Sequence, residues 1–336
     1  MTSPSVMTDP DAFAHRVEQY RNDLVVLCYR FLGSLQDAED AAQETALRAW
    51  RGRETYRGDA SMRTWLHRIA TRVCLDAIER RGRRHLPPHL AQPADPEQSP
   101  APPSGEILWL EPLPDSFVAD ASLDPQARYS LRESVSLAFT AALQLLPPRQ
   151  RAVLLLRDVL CWRASEVARI LEMTESAVSS ALNRARTRLR AELHQPDQEP
   201  IDLSTAADSR LLDAYMRAWE TDNIDGLVGL LREEVRLAMP PSPAWYQGRS
   251  AVGDFLRNWV LPMGPFRMRP TGANLQAAAV LLLRTPGGGE QPVGVHVLSI
   301  ERGRISAIDA FMDPVIAARF TGVTQGDRPR RDGLTR

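Results

Sequence analysis

The chain has 336 residues, of which 43% are hydrophobic and 25% are charged, and its formal net charge is −1. This composition predicts a soluble globular protein of two or three domains. The net charge of −1 excludes a polycation, so any contact with nucleic acid must come from local basic clusters. These clusters consist of arginine, because the sequence has no lysine. No stretch approaches the roughly 20 apolar residues that cross a bilayer, and the N-terminus lacks the pattern of a secretory signal. Cys28, Cys74 and Cys161 are far apart among apolar residues, so we expect buried free thiols, no metal site and a cytoplasmic location without membrane contact.

The segment from residue 10 to residue 84 predicts three main helices. The first ends at Gly33, a candidate C-cap. The second begins at Ser34, a candidate N-cap, and carries four acids of the kind that favour a helix N-terminus. These acids are Asp37, Glu39, Asp40 and Glu44. The third repeats apolar residues at i, i+3, i+4 and i+7 from Met62 to Ala77, the pattern of an amphipathic helix.

Aromatic and basic residues around this third helix suit contact with nucleic acid. Arg68 and Arg72 lie one turn apart on its polar face, where they could hold phosphates. Trp65 lies on the apolar stripe, so packing in the core is its favoured interpretation. Tyr56, beside Gly58 in the preceding loop, is as well suited to stack on an unpaired base as to pack.

Residues 85–127 are dense in proline and acids, which predicts an extended or disordered linker. The stretch 106–114, with the sequence EILWLEPLP, is an exception, because an apolar cluster inside a linker is suited to packing on a neighbour. A second helical block follows from about residue 128 to residue 194, and a short break separates its last two helices.

The last helix of this block has two contrasting sides. Its apolar seam consists of Val178, Leu182, Ala185 and Leu189. The opposite side carries Ser176, Ser180, Asn183 and Thr187, flanked by arginines at positions 184, 186, 188 and 190. Short polar side chains can approach base edges, and flanking guanidiniums can reach phosphates. The pattern therefore favours DNA binding over a merely basic surface helix.

From about residue 205 to residue 322 the pattern changes. A helix is followed by alternating apolar stretches and glycine turns, which predict strands joined by hairpins and hence an α+β domain. The tail 323–336 is expected to be disordered.

Three segments in this order resemble an extracytoplasmic-function (ECF) sigma factor of the sigma-70 family. DAEDAAQETALRAW is similar to the helix that grips the clamp of RNA polymerase, and YRGDASMRTWLHRIATRVCLDAIERRGRR is similar to the promoter-melting segment. LPPRQRAVLLLRDVLCWRASEVARILEMTESAVSSALNRARTRL is similar to the fourth sigma region, a helix-turn-helix. The resemblance implies two all-α sigma domains, region 2 at 10–84 and region 4 at 128–194, joined by the linker 85–127. It implies a factor that catalyses no reaction, needs no cofactor and binds promoter DNA together with the β′ clamp and β flap of core polymerase.

The resemblance also assigns residues to each interface. The four acids Asp37, Glu39, Asp40 and Glu44 would bind polymerase. The −10 element and strand separation would use Tyr56, Arg63, Trp65, Arg68 and Arg72. The −35 element would be contacted by Ser176, Ser179, Ser180, Asn183 and Arg184, with Arg186 and Arg190 on phosphates. The turn sequence LEMT has no glycine, so either Glu172 adopts a positive φ or the turn differs from the family pattern.

Residues 205–322 resemble the SnoaL-like branch of the NTF2 fold, a curved sheet around a cone-shaped pocket. The segments LLDAYMRAWETDNIDGLVGLLREEVRLAMPP and WYQGRSAVGDFL carry this resemblance together with the terminal hairpin. The residues expected in the pocket are Tyr215, Trp219, Trp259, His296 and Asp309. His296 and Asp309 are expected to face each other on partner strands, either as a general acid–base pair or as a polar pair within the sheet.

Three roles stay open for this C-terminal domain. A regulatory role, in which it contacts the sigma regions and tunes their activity, is favoured over binding of a small ligand and over catalysis. Two rival functions concern the whole chain. A helix-turn-helix regulator with a ligand-sensing domain would leave residues 10–84 unexplained, and a SnoaL-like enzyme fused to a DNA-binding module would turn over a substrate through His296 and Asp309.

Overall fold

The computed structural model describes residues 10–56, 58, 60–118, 133–193, 205–285 and 288–321. The chain forms two compact units. The first consists of Met1–Gln92, Ala101–Leu203 and Gly272–Gln276, and the second of Pro93–Pro100, Ser204–Thr271 and Ala277–Arg336. A helical part therefore precedes a part that contains a sheet, as the sequence predicts. The tail 323–336, predicted to be disordered, lies outside the described residues.

The described part of the first unit is mainly helical. Its α-helices are α1 (Pro10–Glu18), α2 (Arg21–Leu32), α3 (Leu35–Arg51), α4 (Met62–Arg81), α5 (Leu137–Gln144), α6 (Pro148–Leu154), α7 (Ala164–Leu171) and α8 (Glu175–Leu193). Gly33 ends α2 in the left-handed conformation, with a φ of 70°. Ser34 caps α3 by accepting a hydrogen bond from the N–H of Asp37. Both caps agree with the sequence prediction.

One apolar core runs through helices from both ends of the first unit. It contains Leu27 of α2, Leu66 of α4, Val153 of α6 and Leu182 of α8, among other buried side chains. Each fully buried aliphatic side chain contributes about 1.5–3 kcal/mol relative to exposure. The shared core therefore joins the helices of 10–84 to those that follow residue 137.

The three thiols do not share one environment. Cys28 and Cys74 are buried in this core, as expected. Cys161 is exposed, so the expectation of burial is wrong for this residue. The physical reason is local, since Cys161 lies between α6 and α7 at a positive φ of 55°, in a turn rather than in a helix.

The apolar stretch of the linker packs on the first unit. Leu110 and Leu113 are fully buried. The N–H of Leu110 donates to the carbonyl of His85 at 2.9 Å, which fixes the stretch beside the end of α4. The packing expected for this part of the linker is thus confirmed, while residues 119–127 lie outside the described part of the chain.

Helices α7 and α8 form the predicted helix-turn-helix. Glu172 ends α7 with a left-handed backbone, at φ 54° and ψ 50°. The N–H of Met173 donates to the carbonyl of Ala168 at 2.9 Å, and Thr174 accepts from the N–H of Ala177 at 3.1 Å at the start of α8. Of the two alternatives for this turn, the positive φ at Glu172 is the one that the chain adopts.

In the second unit the described residues form a six-stranded sheet with helices packed on it. The strands are β1 (Leu231–Ala238), β2 (Trp245–Gln247), β3 (Phe266–Ala273), β4 (Gln276–Arg284), β5 (Glu290–Glu301) and β6 (Arg304–Phe311), in the order β2-β1-β6-β5-β4-β3. The α-helices are α9 (Thr205–Glu220), α10 (Ile224–Gly229), α11 (Arg249–Phe255) and α12 (Pro314–Ala318). Strands β1 and β6 are parallel, whereas β5 is antiparallel to both β4 and β6.

One face of this sheet carries the core of the second unit. Leu298 of β5 lies opposite Ile308 of β6, and both belong to the same apolar cluster as Tyr215 and Trp219 of α9. Because side chains alternate between the two faces of a strand, this cluster defines which residues of β5 and β6 point toward α9.

Candidate nucleic-acid interface

Helix α8 separates buried from exposed residues as its sequence predicts. Val178, Leu182 and Ala185 are buried against the rest of the helix-turn-helix. The residues expected to contact DNA are all exposed, namely Ser176, Ser179, Ser180, Asn183, Arg184, Arg186 and Arg190. A polar strip along one side of a helix, with guanidiniums beside it, is a surface that fits a major groove and its phosphates.

Arg186 differs from the other arginines of this strip. Its guanidinium forms two hydrogen bonds with the carboxylate of Asp158, at 2.8 and 2.7 Å. These hydrogen bonds raise the pKa of Arg186 above its ordinary value. Arg186 therefore ties α8 to the π-helical turn Leu155–Val159 that follows α6. The sequence interpretation missed this contact because the two residues lie far apart along the chain.

Tyr56, in the loop before α4, contacts Trp65 in the first turn of α4. Their ring centroids are 5.2 Å apart, and Trp65 also meets Phe13 of α1 edge-on. Trp65 is half-buried and packs against the core, in agreement with the interpretation favoured for it. The hydroxyl of Tyr56 donates to the carbonyl of Ala60 at 2.7 Å, a hydrogen bond within the loop that precedes α4.

Arg63 lies outside this aromatic group and is held by an acid of α2. Its guanidinium makes two hydrogen bonds of 2.8 Å to the carboxylate of Asp23. Nε2 of the buried His67 lies 2.7 Å from the same carboxylate. Burial raises the pKa of Asp23, but hydrogen bonds from Arg63 and then His67 outweigh it, so that the pKa lies well below its usual range. Sequence reasoning missed Asp23 and His67, although the i, i+4 spacing of Arg63 and His67 places them on one side of α4.

The two arginines on the outer face of α4 lie beside the helix-turn-helix. Nη2 of Arg68 is 4.0 Å from Oε1 of Glu166 on α7, and Nη2 of Arg72 is 4.0 Å from Oε1 of Glu172 in the turn. Both distances are at the outer limit of an ion pair. The positive face predicted to hold phosphates therefore has carboxylates of the same chain next to it.

The four acids of α3 have different surroundings. Asp37 is largely buried and forms ion pairs with Arg81 and Arg84 at the end of α4. Glu44 bonds to Arg48 one turn later at 2.7 Å. Glu39 is partly exposed and lies 3.5 Å from Arg21, and Asp40 is exposed. Asp40 and Glu44 also line a depression of about 400 Å³ between α3 and α4.

Glu111 of the linker completes the environment of Asp37. Its carboxylate accepts hydrogen bonds from the hydroxyl of Ser34 at 2.8 Å and from the N–H of Leu35 at 3.1 Å, so it lies at the N-terminus of α3, where negative charge is favourable. Arg84 reaches both Glu111 and Asp37. Burial raises the pKa of Glu111, and the charge of Arg84 opposes that rise.

In the second unit, three of the five predicted pocket residues come together. The hydroxyl of Tyr215 lies 2.8 Å from Nδ1 of His296, and the Trp219 ring meets the His296 ring edge-on at 5.5 Å. All three side chains are buried. Burial lowers the pKa of His296 to about 4, so the imidazole is neutral near pH 7. Trp259 is only partly buried against the same apolar cluster, and its indole N–H donates to the carbonyl of Pro96 at 3.0 Å.

The expectation that His296 and Asp309 face each other is wrong. His296 lies opposite Ala310 in the β5–β6 ladder, and Asp309 lies opposite Val297. Because paired residues share a face and neighbours alternate, His296 and Asp309 point to opposite faces of the sheet. Asp309 instead receives a hydrogen bond from Arg236 at 2.9 Å. Burial raises the pKa of Asp309, and the charge of Arg236 opposes that rise.

Three families match successive parts of the sequence. They are Sigma-70 region 2 over residues 16–84, Sigma-70, region 4 over residues 136–189, and the SnoaL-like domain over residues 212–308. The chain is 44% identical over 320 residues to the ECF RNA polymerase sigma factor SigG of Mycobacterium tuberculosis, and the match covers 92% of this chain and 83% of SigG. The chain belongs to the ECF RNA polymerase sigma factors.

Two further comparisons show how much of this sigma factor its relatives cover. It is 30% identical to the ECF RNA polymerase sigma factor SigW of Bacillus subtilis over 55% of its own length and 90% of SigW. The crystal structure of the Mycobacterium tuberculosis extracytoplasmic function sigma factor SigJ matches it with a TM-score of 0.59 at 20% identity, covering 90% of this chain and 97% of that one. The SigJ structure therefore has the same fold, with sigma regions followed by a sheet-containing domain.

As a member of this family, the chain is a sigma factor that binds core RNA polymerase and promoter DNA. In the described part of this sigma factor, no helix is both long enough and apolar enough to cross a membrane.

Proposed function

We propose that α8 of this sigma factor contacts the −35 element, while Tyr56, Trp65, Arg68 and Arg72 act on the −10 element during strand separation. The observation that carries this proposal is the division of α8 into a buried apolar seam and an exposed polar strip. Ser176, Ser179, Ser180, Asn183 and Arg184 supply the polar groups for base edges, and Arg190 supplies a phosphate contact. Arg63 and Arg186, each tied to an aspartate by two hydrogen bonds, hold the helices in place.

The exposed acids of α3 are the proposed contacts for the β′ clamp. Asp40 is the strongest of them, because it is exposed beside Glu44 at the depression between α3 and α4. Asp37 is proposed to act indirectly, since its carboxylate is already shared by Arg81 and Arg84. The β flap remains the proposed partner of the helix-turn-helix, and the cytoplasm, where core polymerase works, the proposed location.

Substitution of Arg184 tests the −35 assignment. If its guanidinium bonds to a base edge, Arg184→Ala lowers the affinity of the holoenzyme for its promoter by about 1–3 kcal/mol and relaxes selection at one base pair. Competition binding against promoters that differ at single −35 positions measures both effects. Arg188→Ala removes the same charge one turn further along the same side of α8, and it serves as the matched control. A loss that is equal for every promoter sequence would contradict base contact by Arg184.

We also propose that the C-terminal domain tunes the sigma regions, and that it does so through the turn between β3 and β4. Residues Gly272–Gln276 are part of the first unit. The Asn274 amide, fully buried, donates to the hydroxyl of Tyr29 at 2.9 Å and to the carbonyl of Val135 at 2.7 Å, and it accepts from the N–H of Leu113 at 2.9 Å. One side chain thus fixes α2, the linker and the start of the second helical block.

Transcription by variants of the full chain tests this second proposal. Asn274→Ala removes three hydrogen bonds from buried partners and is expected to change the yield of promoter-specific transcript severalfold. Arg302→Ala, in the exposed turn between β5 and β6, leaves the first unit untouched and is expected to have no effect. Equal yields from the Asn274 variant, the Arg302 variant and the unchanged chain would exclude control through this turn.

A regulatory role for the C-terminal domain is favoured over catalysis by the sheet register. His296 and Asp309 lie on opposite faces, so they cannot act together on one substrate atom. A small ligand is the second candidate, and the hydroxyl of Tyr246 supports it, because that group is buried and has no hydrogen-bond partner among the described residues. Loss of ligand-induced thermal stabilisation in Tyr246→Phe, from a screen of small carbonyl compounds, would identify such a site.

A further inference from the structure

The linker stretch that packs on the first unit leaves one leucine exposed. Leu110 is buried, whereas Leu108 is 38% exposed. The backbone around Leu108 is fixed, since the N–H of His85 donates to its carbonyl at 2.8 Å and the N–H of Leu110 donates to the carbonyl of His85 at 2.9 Å. Nη1 of Arg84 donates to the carbonyl of Trp109 at 2.7 Å. The position of Leu108 is therefore set by main-chain groups and does not depend on its own side chain.

Leu108 lies at the depression between α3 and α4. It lines this depression of about 400 Å³ together with the carboxylates of Asp40 and Glu44. Ala41 of α3 and Val73 of α4 also line it, and both side chains are almost entirely inaccessible to solvent. The depression thus has an apolar floor, acids on the α3 side and a leucine that the linker contributes.

The charged groups around the depression differ in how far they are neutralised. Arg81 of α4 forms an ion pair with Asp37, and Glu44 bonds to Arg48 at 2.7 Å. Asp40 is exposed, and no cation of the described residues lies within ion-pair distance of it. The depression therefore offers an unpaired carboxylate beside an exposed leucine. This combination fits a partner segment that carries a cation next to an apolar side chain.

Core RNA polymerase is the partner to which this surface is best matched. It is the established partner of a sigma factor, and the exposed acids of α3 are proposed above to contact its β′ clamp. Because Leu108 lines the same depression as Asp40 and Glu44, a clamp segment bound at these acids would cover the leucine. Single exposed leucines are common on protein surfaces. A leucine with a fixed backbone, however, loses little conformational entropy when a partner covers it.

We propose that Leu108 is a contact for the β′ clamp, supplied by the linker rather than by sigma region 2. The clamp then binds a composite surface made of α3, α4 and the linker stretch. This inference rests on the proposed clamp contact of the α3 acids. It adds a residue that lies outside both sigma regions, and it makes the docking of the linker stretch part of polymerase binding.

The affinity of the full-length sigma factor for core polymerase tests the inference. Each unlabelled variant competes with the fluorescein-labelled unchanged protein, and fluorescence anisotropy gives its Kd. Leu108→Ser is expected to weaken binding about fivefold, because less apolar surface is removed from water. Leu90→Ser is the matched control, since Leu90 is 43% exposed in the same linker and does not line the depression. It is expected to leave the Kd within about twofold.

The salt dependence of binding separates the apolar contact from the charged one. The effect of Asp40→Asn is expected to shrink as salt is raised from about 0.1 M to about 1 M, because exposed charges are screened. The effect of Leu108→Ser is expected to persist. If Asp40→Asn weakens binding while Leu108→Ser binds as well as Leu90→Ser, the inference is wrong and the α3 assignment stands. Unchanged affinity of Asp40→Asn would overturn the α3 assignment and the inference with it.

A photochemical cross-link identifies the subunit of polymerase that covers Leu108. With p-benzoylphenylalanine at position 108, irradiation of the complex with core polymerase is expected to link the sigma factor to β′. The same residue at position 90 is expected to give little β′ product. Mass spectrometry of the linked peptides identifies the subunit. Cross-links from position 108 to β alone, or none to polymerase, would overturn the inference.

Discussion

Glu172 closes α7 with a left-handed backbone, which costs a residue with a Cβ roughly 1–2 kcal/mol. The ion pair of its side chain with Arg72 offsets little of this cost, because the side chain is mostly exposed and the charged groups are 4.0 Å apart. Glu172→Gly should therefore raise the free energy of unfolding by up to about 1 kcal/mol, since the greater entropy of glycine in the unfolded chain cancels part of the gain. Denaturant titration measures the change. Glu172→Val should lower stability, and equal stabilities of the three proteins would contradict this account of the turn.

His296 makes the stability of the second unit depend on pH. Its pKa is about 4 in the folded protein, because burial disfavours the imidazolium, against 6.5 for the ordinary side chain. Above pH 6.5 both states are neutral, and the stabilising contribution is complete. As the pH falls from 6.5 to 4, the unfolded chain binds a proton that the folded chain does not, so the free energy of unfolding decreases by up to about 3 kcal/mol.

Hydrogen exchange of the β5 amides in the full chain measures this decrease. The expected result is weaker protection at pH 5 than at pH 7, after correction for intrinsic exchange rates. His296→Gln keeps a polar side chain beside Tyr215 but cannot titrate, so its protection should be nearly independent of pH over this range. The same pH dependence in the variant would assign the effect to another group.

Contacts between residues that are distant along the chain could not be predicted from the sequence. Capping by Gly33 and Ser34 was predictable because each cap acts on its own helix end. The shared carboxylate of Asp23 was not, because its partner Arg63 is 40 residues away. The prediction that His296 faces Asp309 was wrong by one position of strand register. A shift of one position moves a residue to the opposite face of the sheet.

Among the elements, α8 shows what the periodicity of apolar residues can predict. Its buried seam follows from spacing alone, since a helix presents residues at i, i+4 and i+7 on one side. The packing of α4 against the helix-turn-helix has no such signature. It depends on Trp162 and His67, each of which looks like an ordinary core residue in the sequence. Local patterns thus predict the elements and their exposed faces but not which faces meet.

The linker stretch 108–113 should stabilise α3 through Glu111. Its carboxylate bonds to Ser34, Leu35 and Arg84. Glu111→Ala would leave the α3 N-terminus and Arg84 without this acceptor, and we expect a loss of about 2 kcal/mol in the free energy of unfolding of the first unit.

Thermal or denaturant unfolding of the full chain checks this loss. Glu111→Gln is the informative control, because its amide oxygen retains an acceptor without the charge, and it should recover about half of the stability. Stability unchanged in Glu111→Ala would show that the linker stretch is held by Leu110 and Leu113 alone.

At the scale of the whole molecule, the order of helical and sheet-containing parts was predictable, whereas the division of the chain was not. Residues 93–100 belong to the second unit and residues 272–276 to the first, although the sequence suggested contiguous segments. Composition changes mark where the chain alternates between helical and strand patterns. They carry no information on short segments that pack away from their neighbours in sequence.

The central claim is the proposal that α4 of this sigma factor opens promoter DNA when core polymerase is bound. The most direct measurement uses 2-aminopurine in the −10 element of a promoter selected from a randomised library. We predict a rise in fluorescence when the sigma factor and core polymerase are both present, no rise with either alone, and a much slower rise with Arg68→Ala and Arg72→Ala combined. Opening by the holoenzyme at an unchanged rate in that double variant would contradict the account.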